Sequence, residues 1–256
     1  APTYADPCNS SRINTGTQFR AANCAAALGA ILNDPDFQQA TSPTTPLEIR
    51  SGSNPDLKSE SSNSLTIGAV IQPRFLPGFA FTVDYYDIKV KNVISSPSAL
   101  LIVQSCYDLP TQDNQFCDLF ERAGPDGGPQ GEAPGQVLEG SLVQTPLNFA
   151  SLKRRGIDFQ ATYARAISDN VNMSSRVYYT HQLKNSNYLD PTQPNFENRI
   201  LSELGDPEDE VVFNVDFTIN KRYKLGYGAQ YIGPMLTTTY ENLYSLQGRP
   251  AQNADG

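Results

Sequence analysis

The sequence predicts a mainly β chain of antiparallel up-and-down hairpins, with short helices in long loops. Three observations favour this class. Six segments alternate apolar and polar residues with a period of two, as strands with one apolar face do. Tyrosine and phenylalanine number 13 and 12 while tryptophan is absent, and aromatic side chains are enriched in strands. The connections between the six segments are alternately short and long, which is typical of successive hairpins.

The first predicted strand follows the polar start of NPDLKSESSNSLTIGAVIQP, residues 54–73. Leu65, Ile67, Ala69 and Ile71 lie on one side of it, and the small or polar residues between them lie on the other. The same alternation recurs in five further segments. The six predicted strands cover residues 62–72, 79–94, 156–167, 171–180, 210–220 and 224–231.

Turn residues divide the chain between these strands. The short connections PRFLPG, SDN and KRY join the two strands of each predicted hairpin, and Pro-Gly in the first is a turn signal. Residues 95–146 and 182–208 form long connections, and the first of these contains a helical pattern over residues 98–106. Residues 1–50 are predicted to be loop-rich, apart from an alanine-rich helix over Asn23–Leu32.

The alternating pattern is compatible with two surroundings. In a secreted β-sandwich the apolar face packs against a second sheet, and the polar face meets water. In an outer-membrane barrel the apolar face meets lipid, and the polar face lines a hydrated interior. Three features favour the barrel: a polar face of small, neutral side chains such as Thr66 and Gly226, tyrosines near strand ends, and short turns at one end with long loops at the other.

Composition excludes some partners and leaves the cysteines with two interpretations. A net charge of −8 gives no surface for neutralising phosphates, so nucleic acid is not an expected partner. With His181 as the one histidine and no CxxC spacing, a Cys/His zinc site is disfavoured. The local pairs Cys8 with Cys24 and Cys106 with Cys117 are candidates for two short disulfides in an oxidising compartment. Buried free thiols remain the alternative.

The opening segment also resembles a family signature. GSNPDLKSE followed by an alternating strand is similar to the Gly-Asn-Pro-x-Leu-Lys-Pro-Glu motif of TonB-dependent outer-membrane receptors. The matching positions are Asn54, Pro55, Leu57, Lys58 and Glu60. FLPGFAFTVDYYDIKVKNVI resembles the next hairpin of that family, and NFASLKRRGIDFQATY resembles a later strand. The motif departs from the family pattern at Ser53, which is inserted, and at Ser59, which replaces proline.

The resemblance implies a partial transmembrane β-barrel from the C-terminal half of such a receptor, without the plug domain. About 22 strands close a barrel of this class, and six are visible here. In this interpretation residues 1–50 are extracellular and loop-rich, residues 51–235 supply barrel strands with long extracellular loops, and residues 236–256 are a loop-like end. Two open strand edges would allow copies of such a fragment to associate.

For the intact receptor the resemblance implies a nutrient transporter in the outer membrane of a Gram-negative bacterium. Its expected partners are TonB, the plug domain, outer-membrane lipid and a small nutrient: iron carried by a siderophore, cobalamin, haem or an oligosaccharide. No cofactor, metal or catalytic residue is expected. The residues expected to face the lumen are Asp84, Asp158, Arg176, Asn214 and Asp216.

Two other interpretations of the sequence remain open. A secreted carbohydrate-binding β-sandwich would use the same strands. A carboxylate-dependent hydrolase would use the acidic segment DPEDE, with Asp206 and Asp209 as the carboxylate pair. The same segment, or Asp126 among glycines, could bind calcium. The basic run at residues 153–155 could contact an anionic lipid headgroup or an anionic ligand.

Overall fold

The computed structural model of the chain describes residues 3–4, 6–41, 45–46 and 48–237. Beyond residue 237, the predicted loop-like end lies outside the described residues. The chain divides into two compact units. The first, here called the loop unit, comprises the described residues up to Ser59, then Asn92–Ala150 and Leu189–Pro194. The second, the sheet unit, comprises Glu60–Lys91, Ser151–Tyr188 and the residues from Asn195 onward.

When the short strands are left aside, the six long strands are neighbours in space in the same order as in the sequence. Each is antiparallel to the next, and together they form an open up-and-down sheet. This confirms the predicted fold class. In chain order the strands are β1 (Thr3–Tyr4), β2 (Thr45–Pro46), β3 (Arg50–Ser51), β4 (Ser61–Ile71), β5 (Phe79–Ser95), β6 (Val143–Gln144), β7 (Leu147–Ser168), β8 (Val171–Tyr188), β9 (Asn198–Arg199), β10 (Asp209–Ile219) and β11 (Tyr223–Ile232). The long strands are ordered β4, β5, β7, β8, β10, β11, and β9 pairs with β8.

Turn chemistry fixes the short ends of two of the three hairpins. Between β4 and β5, Gly78 has a φ of 84°, and a Cβ at this position would collide with the carbonyl oxygen of Ala164. Glycine is therefore required there. Asn220 and Lys221 adopt positive φ values of 52° and 57° in the turn between β10 and β11. Such values match the twist of a tight hairpin.

Two strands extend beyond their predicted ends. β7 begins at Leu147 and β8 continues to Tyr188, whereas the alternation of apolar and polar residues stops near residues 156 and 180. The ladder nevertheless continues to the pair Ser151 and Tyr188. Backbone hydrogen bonds need no particular side chain, so a polar strand can continue after the sequence pattern that reveals it has ended.

Three helices lie in the loop unit. α1 (Arg20–Leu28) starts earlier than predicted and ends at Leu28, and Gly29–Asn33 form a 3₁₀ helix directly after it. α2 (Pro35–Ala40) was not predicted; Asp34 caps it by accepting a hydrogen bond from the backbone N–H of Asp36 at 2.8 Å. α3 (Ala99–Asp108) matches the predicted helical pattern. No helix within the described part of the chain has the length and apolar character needed to cross a bilayer.

The main cluster of buried hydrophobic residues lies in the loop unit; in the described part of the sheet unit, Tyr188 and Leu201 are also buried. The fully buried side chains of the main cluster include Phe37, Ile102, Val103, Phe116 and Leu142. Both cysteine pairs form disulfides here, Cys8 with Cys24 and Cys106 with Cys117, separated by 16 and 11 residues. No cysteine of the chain is free. Each disulfide fastens a helix, α1 or α3, to a neighbouring segment of this core.

Removing either disulfide should destabilise the loop unit by about 3 kcal/mol, because loops of this length lose roughly that much closure entropy when crosslinked. We expect the double change Cys8→Ser with Cys24→Ser, or Cys106→Ser with Cys117→Ser, to accelerate amide hydrogen exchange in α1 and α3. The exposed substitution Ala25→Ser in α1 is the matched control and should leave exchange unchanged. Equal protection in all variants would contradict a stabilising role.

Candidate functional site

The strand register places the predicted lumen residues on one face of the sheet, here called the polar face. Asn214 on β10 is paired with Arg176 on β8, and Asp216 with Ser174. Arg176 is in turn paired with Thr162 on β7. Directly paired residues of an antiparallel sheet project to the same side. Arg176, Asn214 and Asp216 therefore share one side of the sheet.

Asp158 and Asp84 lie on the same side, farther along the sheet. Asp158 on β7 is paired with Thr180 on β8, and the Thr180 hydroxyl donates to its carboxylate at 2.8 Å. Across β5 and β7, a Cβ on Gly156 would collide with the Tyr86 hydroxyl, so Tyr86 lies on the polar face, and Asp84 is two residues from it. That this face lines a lumen remains a prediction; that the five residues share it is a property of the structure.

A shallow depression of about 350 Å³ lies on the polar face around Arg176. Its lining includes the backbone or side chains of Thr162, Ser174, Asn214 and Asp216. Arg176 is exposed, and its guanidinium lies 5.8 Å from the centre of the Tyr178 ring. The depression thus combines a cation, a carboxylate, an amide and hydroxyls. Such a surface can hydrogen-bond water or a polar molecule passing along it.

Glycines opposite the carboxylates keep this face shallow. Asp84 is paired with Gly68 on β4, and Asp216 is paired with Gly226 on β11. A Cβ on Gly68 would collide with the Asp84 carboxylate, and one on Gly226 would lie 2.8 Å from Asp216 Oδ1. The carboxylates therefore lie across the backbone of the next strand, a position that only glycine allows.

The opposite side of the sheet, here called the apolar face, is uncovered. Leu65 and Ile67 on β4 are 53% and 62% exposed, and Leu225 and Tyr227 on β11 are 64% and 65% exposed. Phe81, Phe159, Phe213 and Phe217 are all only partly buried. In a β-sandwich these four rings would be sealed against a second sheet. Within the described residues of the sheet unit, none of them is.

His181 lies on the apolar face in the middle of β8, opposite Asp209 at the start of β10. Its Nδ1 is 2.8 Å from Asp209 Oδ1, and the Tyr179 hydroxyl donates to the same oxygen at 2.8 Å. Asp206 is engaged elsewhere, where Asn185 Nδ2 donates to it at 2.5 Å. The two carboxylates proposed for the hydrolase alternative thus bind different partners, and their side chains form no pair.

Two buried arginine–aspartate pairs organise the loop unit. Arg122 makes a bidentate contact with Asp6, with Nη1–Oδ2 and Nη2–Oδ1 distances of 2.8 and 3.1 Å. Its Nε donates to the Tyr107 hydroxyl at 2.7 Å, and burial raises the pKa of that hydroxyl above its usual range. Arg20 is paired with Asp108 in the same bidentate manner. Each pair joins segments about 90 residues or more apart in sequence.

The glycine- and proline-rich tract at residues 123–135 is ordered around one carboxylate. Glu132 accepts hydrogen bonds from the backbone N–H groups of Glu139 at 3.0 Å and Gln130 at 2.8 Å. These bonds, chiefly that from Glu139, hold the pKa of Glu132 below its usual range. The tract is therefore a folded loop rather than a flexible linker, and its Glu132 carboxylate is occupied by the protein itself.

The signature segment is tied to the start of β7. Asn54 Nδ2 donates to the carbonyl of Pro146 at 3.0 Å. Lys58 and Asn148 exchange two bonds, since Lys58 N–H donates to Asn148 Oδ1 at 2.8 Å and Asn148 Nδ2 donates to the Lys58 carbonyl at 2.9 Å. Pro55 and Leu57 lie between these anchors, and Glu60 directly precedes β4. Sequence reasoning missed Asn148, although it lies in the quoted NFASLKRRG segment.

No metal site emerges from these side chains. Across residues 3–4, 6–41, 45–46 and 48–237, no group of three or more His, Cys, Asp or Glu side chains could hold a metal ion. Asp126, the calcium candidate, is exposed in the glycine-rich tract.

An open antiparallel sheet with one uncovered apolar face and one shallow polar face is typical of the wall of a membrane β-barrel. Residues 10–254 match the family model described as TonB dependent receptor-like, beta-barrel. The chain belongs to this family, whose members are outer-membrane receptors and transporters of Gram-negative bacteria that act with TonB and a plug domain. No curated protein matches the chain.

A positive charge introduced on the apolar face should destabilise the protein far more than the same charge on the polar face. Val215→Arg places a guanidinium on the apolar face and should lower the free energy of unfolding in lipid vesicles by about 2–4 kcal/mol, as arginine does at the middle of a barrel's lipid face. Asn214→Arg, one residue away on the polar face, is the matched control and should change it much less, because a hydrated face does not require the charge to enter lipid. Urea unfolding of the receptor in vesicles measures both, and equal losses would refute the assignment of faces.

Breaking one buried ion pair should loosen the loop unit strongly. Arg122→Met leaves the fully buried Asp6 without its cation and should cost about 3–5 kcal/mol, whereas Arg122→Met with Asp6→Leu should recover most of that loss. Hydrogen exchange of the loop unit gives the local free energies. If the free-energy losses of the two single variants simply add in the double variant, the ion pair does not contribute to the stability of the loop unit.

Proposed function

We propose that this chain forms part of the barrel wall and the extracellular loops of a TonB-dependent transporter that imports a scarce nutrient across the outer membrane. The loop unit captures the nutrient, and the polar face lines the path that opens when TonB acts on the plug. The observation that carries the proposal is the separation of faces: five polar residues lie on one side, and most of the exposed apolar residues of the long strands, such as Leu65, Ile67 and Leu225, lie on the other. The family match supports the same role.

The charge of the loop unit limits the classes of nutrient that it can bind. Its ranges contain 5 lysines and arginines against 13 aspartates and glutamates, whereas those of the sheet unit contain 14 of each. Arg20 and Arg122 are buried in ion pairs with Asp108 and Asp6, so these two pairs leave the excess of carboxylates unchanged. A surface of one sign attracts ligands of the opposite sign and repels those of its own. The nutrient is therefore neutral or cationic.

Exposed carboxylates carry this charge on the surface. Asp113, Asp118, Glu121, Asp126 and Glu139 are all exposed. A neutral ferric hydroxamate, cobalamin or a neutral oligosaccharide would meet no repulsion there. A ferric tricatecholate or haem, which carry negative charge, would be disfavoured.

Uptake by whole cells tests the proposal. A strain lacking the full-length receptor is compared with the complemented strain, using labelled ferric hydroxamate, cobalamin, oligosaccharide, ferric tricatecholate and haem. We expect at least tenfold faster uptake of one neutral or cationic compound in the complemented strain, and loss of that uptake when TonB is inactivated.

The outcomes separate the two parts of the proposal. Uptake that is independent of the receptor for every compound, or independent of TonB, contradicts the transport function. TonB-dependent uptake of an anionic compound contradicts the charge argument and leaves transport intact. Neutralising Asp113, Asp118 and Glu121 should weaken capture of a cationic compound several-fold, and the effect should shrink as salt is raised.

A further inference from the structure

Tyr178 presents an exposed aromatic ring on the polar face of the sheet. It is paired with Gln160 on β7 and follows Arg176 at even spacing along β8, so it lies on the same side as Arg176. The residue is 41% exposed. Tyr179 and Tyr227, by contrast, lie on the apolar face, where contact with lipid or its headgroups accounts for a tyrosine. Lipid does not account for a ring on the polar face.

The Tyr178 ring has no evident packing role within the sheet. Tyr86, which also lies on the polar face, packs over Gly156, where a Cβ would lie 2.4 Å from its hydroxyl. Tyr178 covers no glycine, since the residues paired with it are Gln160 and Val212. Its hydroxyl forms no hydrogen bond within the described part of the chain. Both the ring and the hydroxyl are therefore available to a ligand.

Three polar side chains beside the ring are available as well. Arg176, Asn214 and Asp216 are exposed and line the shallow depression on the polar face. The Arg176 guanidinium lies 5.8 Å from the centre of the Tyr178 ring, but among the described residues no hydrogen bond or ion pair engages any of these three side chains. Arg176 offers donors, Asp216 offers acceptors, and Asn214 offers both.

This combination of groups matches the surface of a sugar ring. The faces of a sugar ring carry C–H groups, which pack against the flat side of an aromatic ring. Its edge carries hydroxyl groups, each of which can donate and accept hydrogen bonds. The Tyr178 ring suits the face, and the guanidinium, amide and carboxylate beside it suit the hydroxyl groups.

Charge and size favour the same class of ligand. Arg176 and Asp216 carry opposite charges, so together they add no net charge to the depression and suit a neutral ligand. The depression has a volume of about 350 Å³, near the lower end of the roughly 300–1,000 Å³ found for small-molecule sites. A saccharide chain can contact such a depression one ring at a time, whereas cobalamin or a folded ferric chelate is bulkier than the depression.

We propose that Tyr178, Arg176, Asn214 and Asp216 form a saccharide-binding subsite on the polar face of the barrel wall. The Tyr178 ring stacks against one face of a sugar ring, and the three polar side chains bond to the hydroxyl groups of that sugar. The inference rests on the proposed function, in which the polar face lines the path of the nutrient. It narrows the nutrient to a neutral oligosaccharide.

Capture of sugars by the full-length receptor in detergent tests the inference. The probe is a mixture of short neutral oligosaccharides of glucose, galactose, mannose, xylose and N-acetylglucosamine, and native mass spectrometry measures what is bound. Tyr178→Ala should lower the affinity for the captured oligosaccharide roughly tenfold, because it removes one stacking contact. Tyr178→Phe keeps the ring and should stay within about twofold. Asn214→Ala should lower the affinity about fivefold, through the loss of one hydrogen bond. Tyr227→Ala, which removes an exposed tyrosine from the apolar face, is the matched control and should leave the affinity unchanged.

Three results would overturn the inference: capture of no oligosaccharide by the unmodified receptor, unchanged affinity in Tyr178→Ala, or equal losses in Tyr178→Ala and Tyr227→Ala. The second result is expected if Tyr178 packs against the plug domain instead, and Tyr178→Ala would then lower the unfolding temperature of the receptor without affecting capture. TonB-dependent uptake is measured separately. Uptake of a ferric hydroxamate or cobalamin, with no uptake of oligosaccharide, would contradict the saccharide subsite and leave the transport function intact.

Discussion

The two-residue alternation of the strands is the constraint on which the rest of the structure depends. A slip of one residue in any pairing would exchange the two faces of that strand. Val215, on the apolar face between Asn214 and Asp216, would then change places with the carboxylate and the amide. The glycines opposite Asp84 and Asp216 add to this constraint, because these carboxylates have room only where the facing residue lacks a Cβ.

The two units are stabilised by different interactions. The sheet unit has backbone ladders and few buried side chains, which lie near the long-loop end of β8, and its apolar face is exposed. The loop unit has a conventional core around Phe37, Ile102 and Phe116, two disulfides, and the buried pairs of Arg20 and Arg122. Disulfides of this kind are typical of small units that fold in an oxidising compartment.

Much of the fold and part of the site could be predicted from the sequence, because the features concerned depend on local geometry. Strand alternation is a local property, so the six strands and the common face of Asp158, Arg176 and Asp216 could be predicted. Short separations likewise made Cys8 with Cys24 and Cys106 with Cys117 the natural candidate pairs. The contact of Arg122 with Asp6 could not be predicted, because it joins residues 116 positions apart and leaves no periodic signal. The polar ends of β7 and β8 were missed for a related reason, since backbone pairing there continues without alternation.

Spin labels placed singly at residues 211–217 of β10 in the membrane-embedded receptor test the assignment of faces most directly. Electron paramagnetic resonance compares the access of oxygen, which dissolves in lipid, with that of a water-soluble nickel chelate. We predict that reagent access varies with a two-residue period. Oxygen should have the greater access at Val211, Phe213, Val215 and Phe217. At the positions between them, either the chelate should have the greater access or packed protein should exclude both reagents. Uniform access along the strand, or the opposite phase, would contradict a lipid-facing apolar side and with it the membrane-barrel account.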